Sequence, residues 1–295
     1  MIIISALGGL GNQMYEYSFY QATINAHPSE IVKLDTNYAL KREHNGYEVE
    51  RIFSLRSLKA TYSEVKRLGD FCIAGEQDSK LAKLSRSIRF RIGLTKPSFI
   101  RQNDYTAFER PLVDLRKGRD YYLYGAFCNY QYFKGIDAML PSIFAFPPLD
   151  ERNKLHFVDT DKQIVSLHIR RGDYVSLNAG LLGADYYKAA LRLLEETTIS
   201  QRPLKILVFS DDTHLARECL ANLPYDFVYI DGNTGANSYK DMQMMSLCEH
   251  NIIANSSFSF WGAFLNKNPD KLVICSKQPF AGCSQPFSYP GWIEL

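Results

Sequence analysis

The chain has 295 residues, 46% of them hydrophobic and 22% charged, so it can bury two ordinary domain cores and is not a disordered protein. A formal net charge of +2 is too small to make nucleic acid the main partner. No apolar run approaches the ~18 residues of a membrane span. None of the six cysteines forms a C-x-x-C pair. The first residues lack the basic flank of a signal peptide. These features predict a cytoplasmic protein with reduced, mostly buried thiols and no zinc site of the usual spacing.

The chain opens on the β-branched run Ile2-Ile3-Ile4, turns through Gly8-Gly9-Leu10-Gly11, and continues with the helical spacing Met14, Tyr17, Ser18, Gln21. Strand, glycine turn and helix are the start of a βαβ unit. Ile31–Leu34 predicts a second strand, Tyr121–Tyr124 another, and residues 130–144 a helix. Pro147-Pro148 breaks the pattern and predicts a boundary between an N-terminal α/β domain (1–147) and a C-terminal α/β domain (148–295).

Beyond it, strands are expected at 164–169, 204–209, 227–230, 251–254 and 272–275, with helices near 185–197, 213–222, 239–248 and 258–266. Apolar strands alternating with amphipathic helices predict parallel sheets covered on both faces. The expected architecture is α/β, two Rossmann-like halves facing across a cleft, with ligands beyond the carboxyl ends of the strands.

Four segments stand at such ends. His168-Ile169-Arg170-Arg171-Gly172-Asp173-Tyr174 places two adjacent guanidiniums where a buried strand stops. A guanidinium cannot escape burial by losing its proton, and a diphosphate offers matched bidentate acceptors. The alternatives are an internal salt-bridge knot or a solvated loop. Gly8–Gln13 lets a backbone approach a ligand at a helix N-terminus, or is a tight turn only. Met14 stands where a dinucleotide fingerprint has its third glycine, and no Gly-Lys-Ser/Thr follows.

Phe209-Ser210-Asp211-Asp212 offers carboxylates for a metal, a ribose or a neighbouring arginine, or a helix cap. Asp231, after the strand at 227–230, suits a guanine edge or a ribose hydroxyl, or is an ordinary loop residue. Asn255-Ser256-Ser257-Phe258-Ser259-Phe260-Trp261-Gly262 opens a helix with more small polar groups than one cap needs. Trp261 is either core or a sugar platform.

Together these segments resemble the bacterial α-1,2-fucosyltransferases of glycosyltransferase family 11, in the family's order and over nearly the whole chain. The resemblance implies a GT-B-like fold and GDP-β-L-fucose as donor. It also implies no required metal or other cofactor, and inversion to an α-fucoside on the 2-hydroxyl of a terminal galactose. It places Arg170 and Arg171 on the diphosphate, His168 and Asp231 at guanine, and Ser256 and Ser257 near the phosphates. Gly11, counted with the donor-binding residues, and Asn12, counted with the catalytic ones, fall in the Gly-Asn-Gln segment that lines the donor–acceptor junction in some protein O-fucosyltransferases. Asp211 is counted with the donor-binding residues and Asp173 with the catalytic ones, as a base or as an orienter of an arginine. The sequence departs from the pattern at Phe260, where Trp is common, and at Tyr15-Glu16-Tyr17, where Phe-Gln-Tyr is commoner. Both departures are expected to adjust the acceptor pocket.

Other readings are a glycosyltransferase using another nucleotide sugar, and a carbohydrate-binding protein without turnover. Residues 79–103 hold seven Lys or Arg and no acid, with Leu81, Leu84, Ile88 and Ile92 spaced for one helix face. They suit peripheral contact with an anionic membrane, on its inner face near a lipid-linked glycan, or a helix packed on the first domain with its charges solvated.

Overall fold

A computed structural model describes residues 1–37, 45–69, 95–159, 161–172, 180–198 and 202–295. The chain divides into two compact units, Met1–Ala138 and Met139–Leu295. The first is built on a parallel four-stranded sheet of order β2-β1-β4-β3, comprising β1 (Ile2–Ser5), β2 (Val32–Asp35), β3 (Phe99–Arg101) and β4 (Tyr121–Tyr124). The helices α1 (Leu10–Ala26), α2 (Val49–Phe53) and α3 (Tyr62–Leu68) accompany it. β1 is buried throughout, which is why a run of three isoleucines reads as strand.

The turn from β1 into α1 is held from inside by α1 itself. Gln13, fully buried, donates Nε2 to the carbonyls of Gly8 (2.9 Å) and Gly46 (2.8 Å), and its Oε1 accepts the Glu48 N–H at 2.7 Å. One helical turn on, the buried Glu16 carboxyl accepts the Leu7 N–H on both oxygens at 2.9 Å. Tyr15, Glu16 and Tyr17 are therefore packing and bracing groups, which corrects the expectation that they shape an acceptor pocket. Gln13, the last residue of the glycine-rich opening segment, is likewise a strut.

Burial pushes the Glu16 carboxyl well above the usual range, the Leu7 N–H opposing it. An acid with a raised folded pKa binds its proton more tightly when folded, so its contribution to stability is lost as pH rises above the unfolded value. Glu16→Gln keeps the acceptor for Leu7 and removes the titration. The wild type is expected to lose more Tm than the variant between pH 5 and pH 8. Parallel melting curves across that range would rule Glu16 out as the source.

The second unit carries a parallel sheet of order β10-β9-β8-β5-β6-β7. Its strands are β5 (Gln163–Ile169), β6 (Leu204–Ser210), β7 (Phe227–Tyr229), β8 (His250–Ile252), β9 (Val273–Cys275) and β10 (Ile293–Glu294). Its helices are α4 (Leu140–Ile143), α5 (Glu151–Lys154), α6 (Ala184–Thr197), α7 (Thr213–Leu220), α8 (Tyr239–Leu247) and α9 (Ser257–Phe264). Central β5 is buried on both faces. Val165, Leu167 and Ile169 pack with α6, while Ile164 packs with Leu207, Phe209 and Met244.

The expected helix at 130–144 is instead two 3-10 turns, Tyr130–Tyr132 and Asp137–Met139, followed by α4. Gly135 and Pro141 interrupt it. The division falls before α4 rather than at Pro147-Pro148 because residues 139–147 pack within the second unit. Phe144 meets Trp261 edge-on at 5.2 Å, Phe146 stacks on Tyr239, and Gln243 donates to the Pro147 carbonyl at 2.6 Å. Trp261 is fully buried among Phe144, Phe260 and Phe264, so it is core rather than a sugar platform. Phe260 is buried too, against Phe264 and Trp292, so this substitution repacks the core instead of lining a pocket.

The five described cysteines are free thiols. Among the described residues no helix is long and apolar enough to cross a membrane. Of the basic stretch 79–103, residues 79–94 lie outside the described residues. Lys96 donates to the carbonyls of Lys66 and Arg67, at 2.8 and 3.0 Å, which closes the C-terminus of α3. Arg101 is exposed on β3.

Candidate functional site

In the second unit the chemistry-bearing residues gather where β5, β6, β7 and β8 end. β5 and β6 are paired through His168↔Phe209 and Ile169↔Ser210, so the residues that follow both strands emerge side by side. Asp211 bridges them. Its Oδ2 lies 3.1 Å from Arg170 Nη1, and its Oδ1 accepts the Arg171 N–H at 2.8 Å. A Cβ on Gly172 would stand 2.3 Å from Asp211 Oδ2, so only glycine leaves room for this carboxylate. The expectation that Asp211 touches the donor is thereby narrowed. Its carboxylate faces protein groups and holds the post-β5 turn. Asp212 is the helix cap, its Oδ1 accepting the Leu215 N–H at 3.0 Å.

The two arginines are not equivalent. Arg170 keeps 24% of its side chain exposed beside Asp211. Arg171 is buried, and its guanidinium turns inward to the Leu182 carbonyl (2.9 Å) and Cys219 Sγ (2.9 Å), with a longer contact to the Arg170 carbonyl at 3.4 Å. The expectation of two forks side by side on a diphosphate is corrected: Arg171 braces the turn from which Arg170 projects. Asp173 lies outside the described residues.

His168 is buried at the end of β5, and its Nδ1 has no hydrogen-bond partner among the described residues. Burial, and then the Arg170 charge, pull its pKa down to about 3. The imidazole is neutral at physiological pH, so it can offer a ligand a hydrogen bond but not a charge.

After β8, Ser256 caps α9, its Oγ accepting the Phe258 N–H at 3.3 Å, and Asn255 donates Nδ2 to the Gly180 carbonyl at 2.8 Å. Ser257 is the first residue of α9, half-buried, in a first turn whose amides suit an anion.

After β7, Asp231 is 75% exposed and takes an ion pair from Arg152 at 2.9 Å. Sequence reasoning missed Arg152, because the pair is brought together only by folding. It also missed Asp241, in the first turn of α8, whose partly buried carboxyl accepts from Asn233 Nδ2 at 2.8 Å. Burial pushes that carboxyl up to about 7. An acid near a helix start reads in sequence as an ordinary dipole partner. Among the described residues no group of three or more His, Cys, Asp or Glu is placed to hold a metal ion.

In the first unit, Gly8 adopts φ +66°, and a Cβ there would stand 2.8 Å from Asn12 Nδ2. Gly11 and Asn12 lie in the first turn of α1, with Asn12 Oδ1 accepting from Cys128 Sγ at 3.7 Å. Cys128 follows β4, the neighbour of β1. Asn12 and Gly11 thus stand at the carboxyl end of this sheet, as expected.

A model of Glycosyl transferase family 11 matches residues 1–294. The chain is 29% identical over 310 residues to the O-antigen biosynthesis glycosyltransferase WbnK of Escherichia coli, covering 98% of each. It is 30% identical over 297 residues to an α-1,2-colitosyltransferase of Escherichia coli, covering 95% of this chain and 92% of that one. Among solved structures, the NodZ α-1,6-fucosyltransferase soaked with GDP-fucose has a similar fold. The TM-score is 0.50 at 12% identity, over 89% of this chain and 92% of that one. The parallel two-sheet α/β architecture is that of the GT-B glycosyltransferases. The ordered glycine turn, paired arginines and serine-capped helix, read with a family match spanning both units, make this chain a member of glycosyltransferase family 11, an enzyme of fucosyltransferase type.

Proposed function

We propose that the protein transfers L-fucose from GDP-β-L-fucose to the 2-hydroxyl of a terminal galactose, with inversion, giving an α-1,2-fucoside in a bacterial surface glycan. The observation that carries this reading is Arg170, held beside Asp211 at the carboxyl end of the central strand. The acceptor hydroxyl attacks the anomeric carbon from the face opposite GDP, and negative charge grows on the β-phosphate. A preorganised guanidinium stabilises that charge more in the transition state than in the ground state. The first turn of α9, with Ser256 and Ser257, offers further donors to the phosphates. Neutral His168 and the Asp231 carboxylate serve the base, since a carboxylate accepts from both N1 and the exocyclic amine of guanine. Gly11 stands with the donor-binding residues and Asn12 with the catalytic ones, at the donor–acceptor junction. Asp173 is the proposed base or orienting carboxylate of the post-β5 segment.

The work of a Lewis acid falls to guanidinium and helix amides in this scheme, so no metal is required. The α-1,2-colitosyltransferase relative supports a second reading, in which the same linkage is made from a colitose donor. Contact of residues 79–103 with an anionic membrane surface at the cytoplasmic face remains part of the proposal. Binding to anionic liposomes at low salt, released at high salt, supports it, and no binding at low salt removes it.

The test is incubation with a panel of nucleotide sugars and galactosides, with and without EDTA, followed by product mass and linkage analysis. Fucosyl-galactoside formed from the GDP donor in EDTA is the expected result. Product only from a colitose donor selects the second reading. Activity lost in EDTA and restored by manganese or magnesium overturns the metal-independent mechanism.

A further inference from the structure

Beyond the carboxyl end of β7, three segments of the second unit are joined by side chains. Asn233 donates Nδ2 to Asp241 Oδ1 at 2.8 Å and to Asn153 Oδ1 at 3.3 Å, and its Oδ1 accepts from Asn153 Nδ2 at 3.1 Å. Asn153 Nδ2 also donates to Asp150 Oδ2 at 3.0 Å, an oxygen that takes Lys240 Nζ at 2.9 Å. Next to this amide pair, Arg152 Nη2 donates to the Asp231 carboxylate at 2.9 Å and to the Asp231 carbonyl at 3.1 Å. Arg152 and Asn153 on one segment thus meet Asp231 and Asn233 on the other, and Asp241 anchors the pair to α8.

We infer that Asn233 is a positioning residue for the donor nucleotide: its carboxamide, bonded to Asp241 and Asn153, holds segment 231–237 so that the Asp231 carboxylate meets the base. This rests on the reading that a nucleotide sugar binds at the carboxyl ends of the second sheet. The segment contains Gly232 at φ +79° and Gly235 at φ +56°, a backbone with many conformations open to it unless side chains fix it. Asp231, largely exposed and bonded to a largely exposed arginine, is weakly placed by that ion pair. The Asn233 carboxamide, shared between a partly buried acid and a second amide, is the stronger tie.

The charged groups around Asp241 are engaged with one another, Lys240 with Asp150 and Arg152 with Asp231. Asn233 is therefore the hydrogen-bond donor that faces the Asp241 carboxyl, which burial pushes up to about 7.

Calorimetry with GDP and steady-state kinetics test the inference. Wild type binding GDP bears on the underlying reading, and the ratio between variant and wild type bears on Asn233. Asn233→Ala is expected to weaken GDP binding and raise the donor KM by about tenfold, with kcat at saturating donor and acceptor KM nearly unchanged. Asn233→Asp sets a second carboxyl against Asp241. It is expected to bind GDP near normally at about pH 6, where the pair shares a proton, and progressively worse towards pH 8.5, as both ionise. GDP affinity unchanged in Asn233→Ala, or lost equally at both pH values in Asn233→Asp, overturns the positioning role. Absence of GDP binding by the wild type removes the nucleotide reading itself and this inference with it.

Discussion

Arg170→Ala is expected to lower kcat/KM by ~10²–10³ while leaving the melting temperature nearly unchanged. The rate loss follows from removing a preorganised cation beside the leaving group, for which one lost donor in comparable anion sites has this effect. Stability is spared for a reason visible in the geometry. Arg170 and Asp211 keep 24% and 25% of their side chains exposed, so solvent screens their ion pair and its loss costs less than that of a fully buried pair. Asp211 also keeps the Arg171 N–H at 2.8 Å when the guanidinium is gone. Arg170→Lys should recover little, because a point charge cannot form the bidentate fork. Turnover near the wild-type value, with an unchanged circular-dichroism spectrum, would remove Arg170 from the diphosphate.

Arg171→Ala is expected to act on the other axis. Its buried guanidinium joins the post-β5 turn to the Leu182 carbonyl and to Cys219 on α7. Truncation leaves that carbonyl unsatisfied and a void in its place, at a cost of about 2–3 kcal/mol. For a protein of this size that lowers Tm by roughly 4–12 °C. Activity falls as well, because the turn that presents Arg170 loosens. Thermal melts of the two alanine variants side by side make the distinction. If Arg171→Ala melts with the wild type and loses only turnover, the inward guanidinium is not a brace, and the symmetric two-arginine reading returns.

Much of the second unit was legible in the sequence. The strands expected at 164–169 and 204–209 are found at Gln163–Ile169 and Leu204–Ser210, and the helix expected at 185–197 spans Ala184–Thr197. Apolar runs of that length between amphipathic helices have one stable arrangement, a parallel sheet buried on both faces. The first unit was less legible. β3 holds only Phe99–Arg101 inside a basic stretch that reads as helical, and a strand of three residues leaves no period to detect. The helix expected at 130–144 is broken into short turns because Gly135 and Pro141 interrupt it.

The sequence by itself determined the family, the order of the motifs and their placement at strand ends, because residue type and spacing along one chain carry that information. Which of two adjacent arginines faces outward was decided only by tertiary structure. The Arg171 side chain finds its acceptors at Leu182 and Cys219, 11 and 48 positions along the chain. The same holds for Gln13 and Glu16, polar in sequence yet buried struts of the opening turn. It holds again for the Arg152–Asp231 and Asn153–Asn233 cross-links, which join residues about eighty positions apart. Hydrogen bonds between distant segments leave no local pattern, since each partner has the composition of an ordinary surface residue until the fold buries it or brings it to its mate.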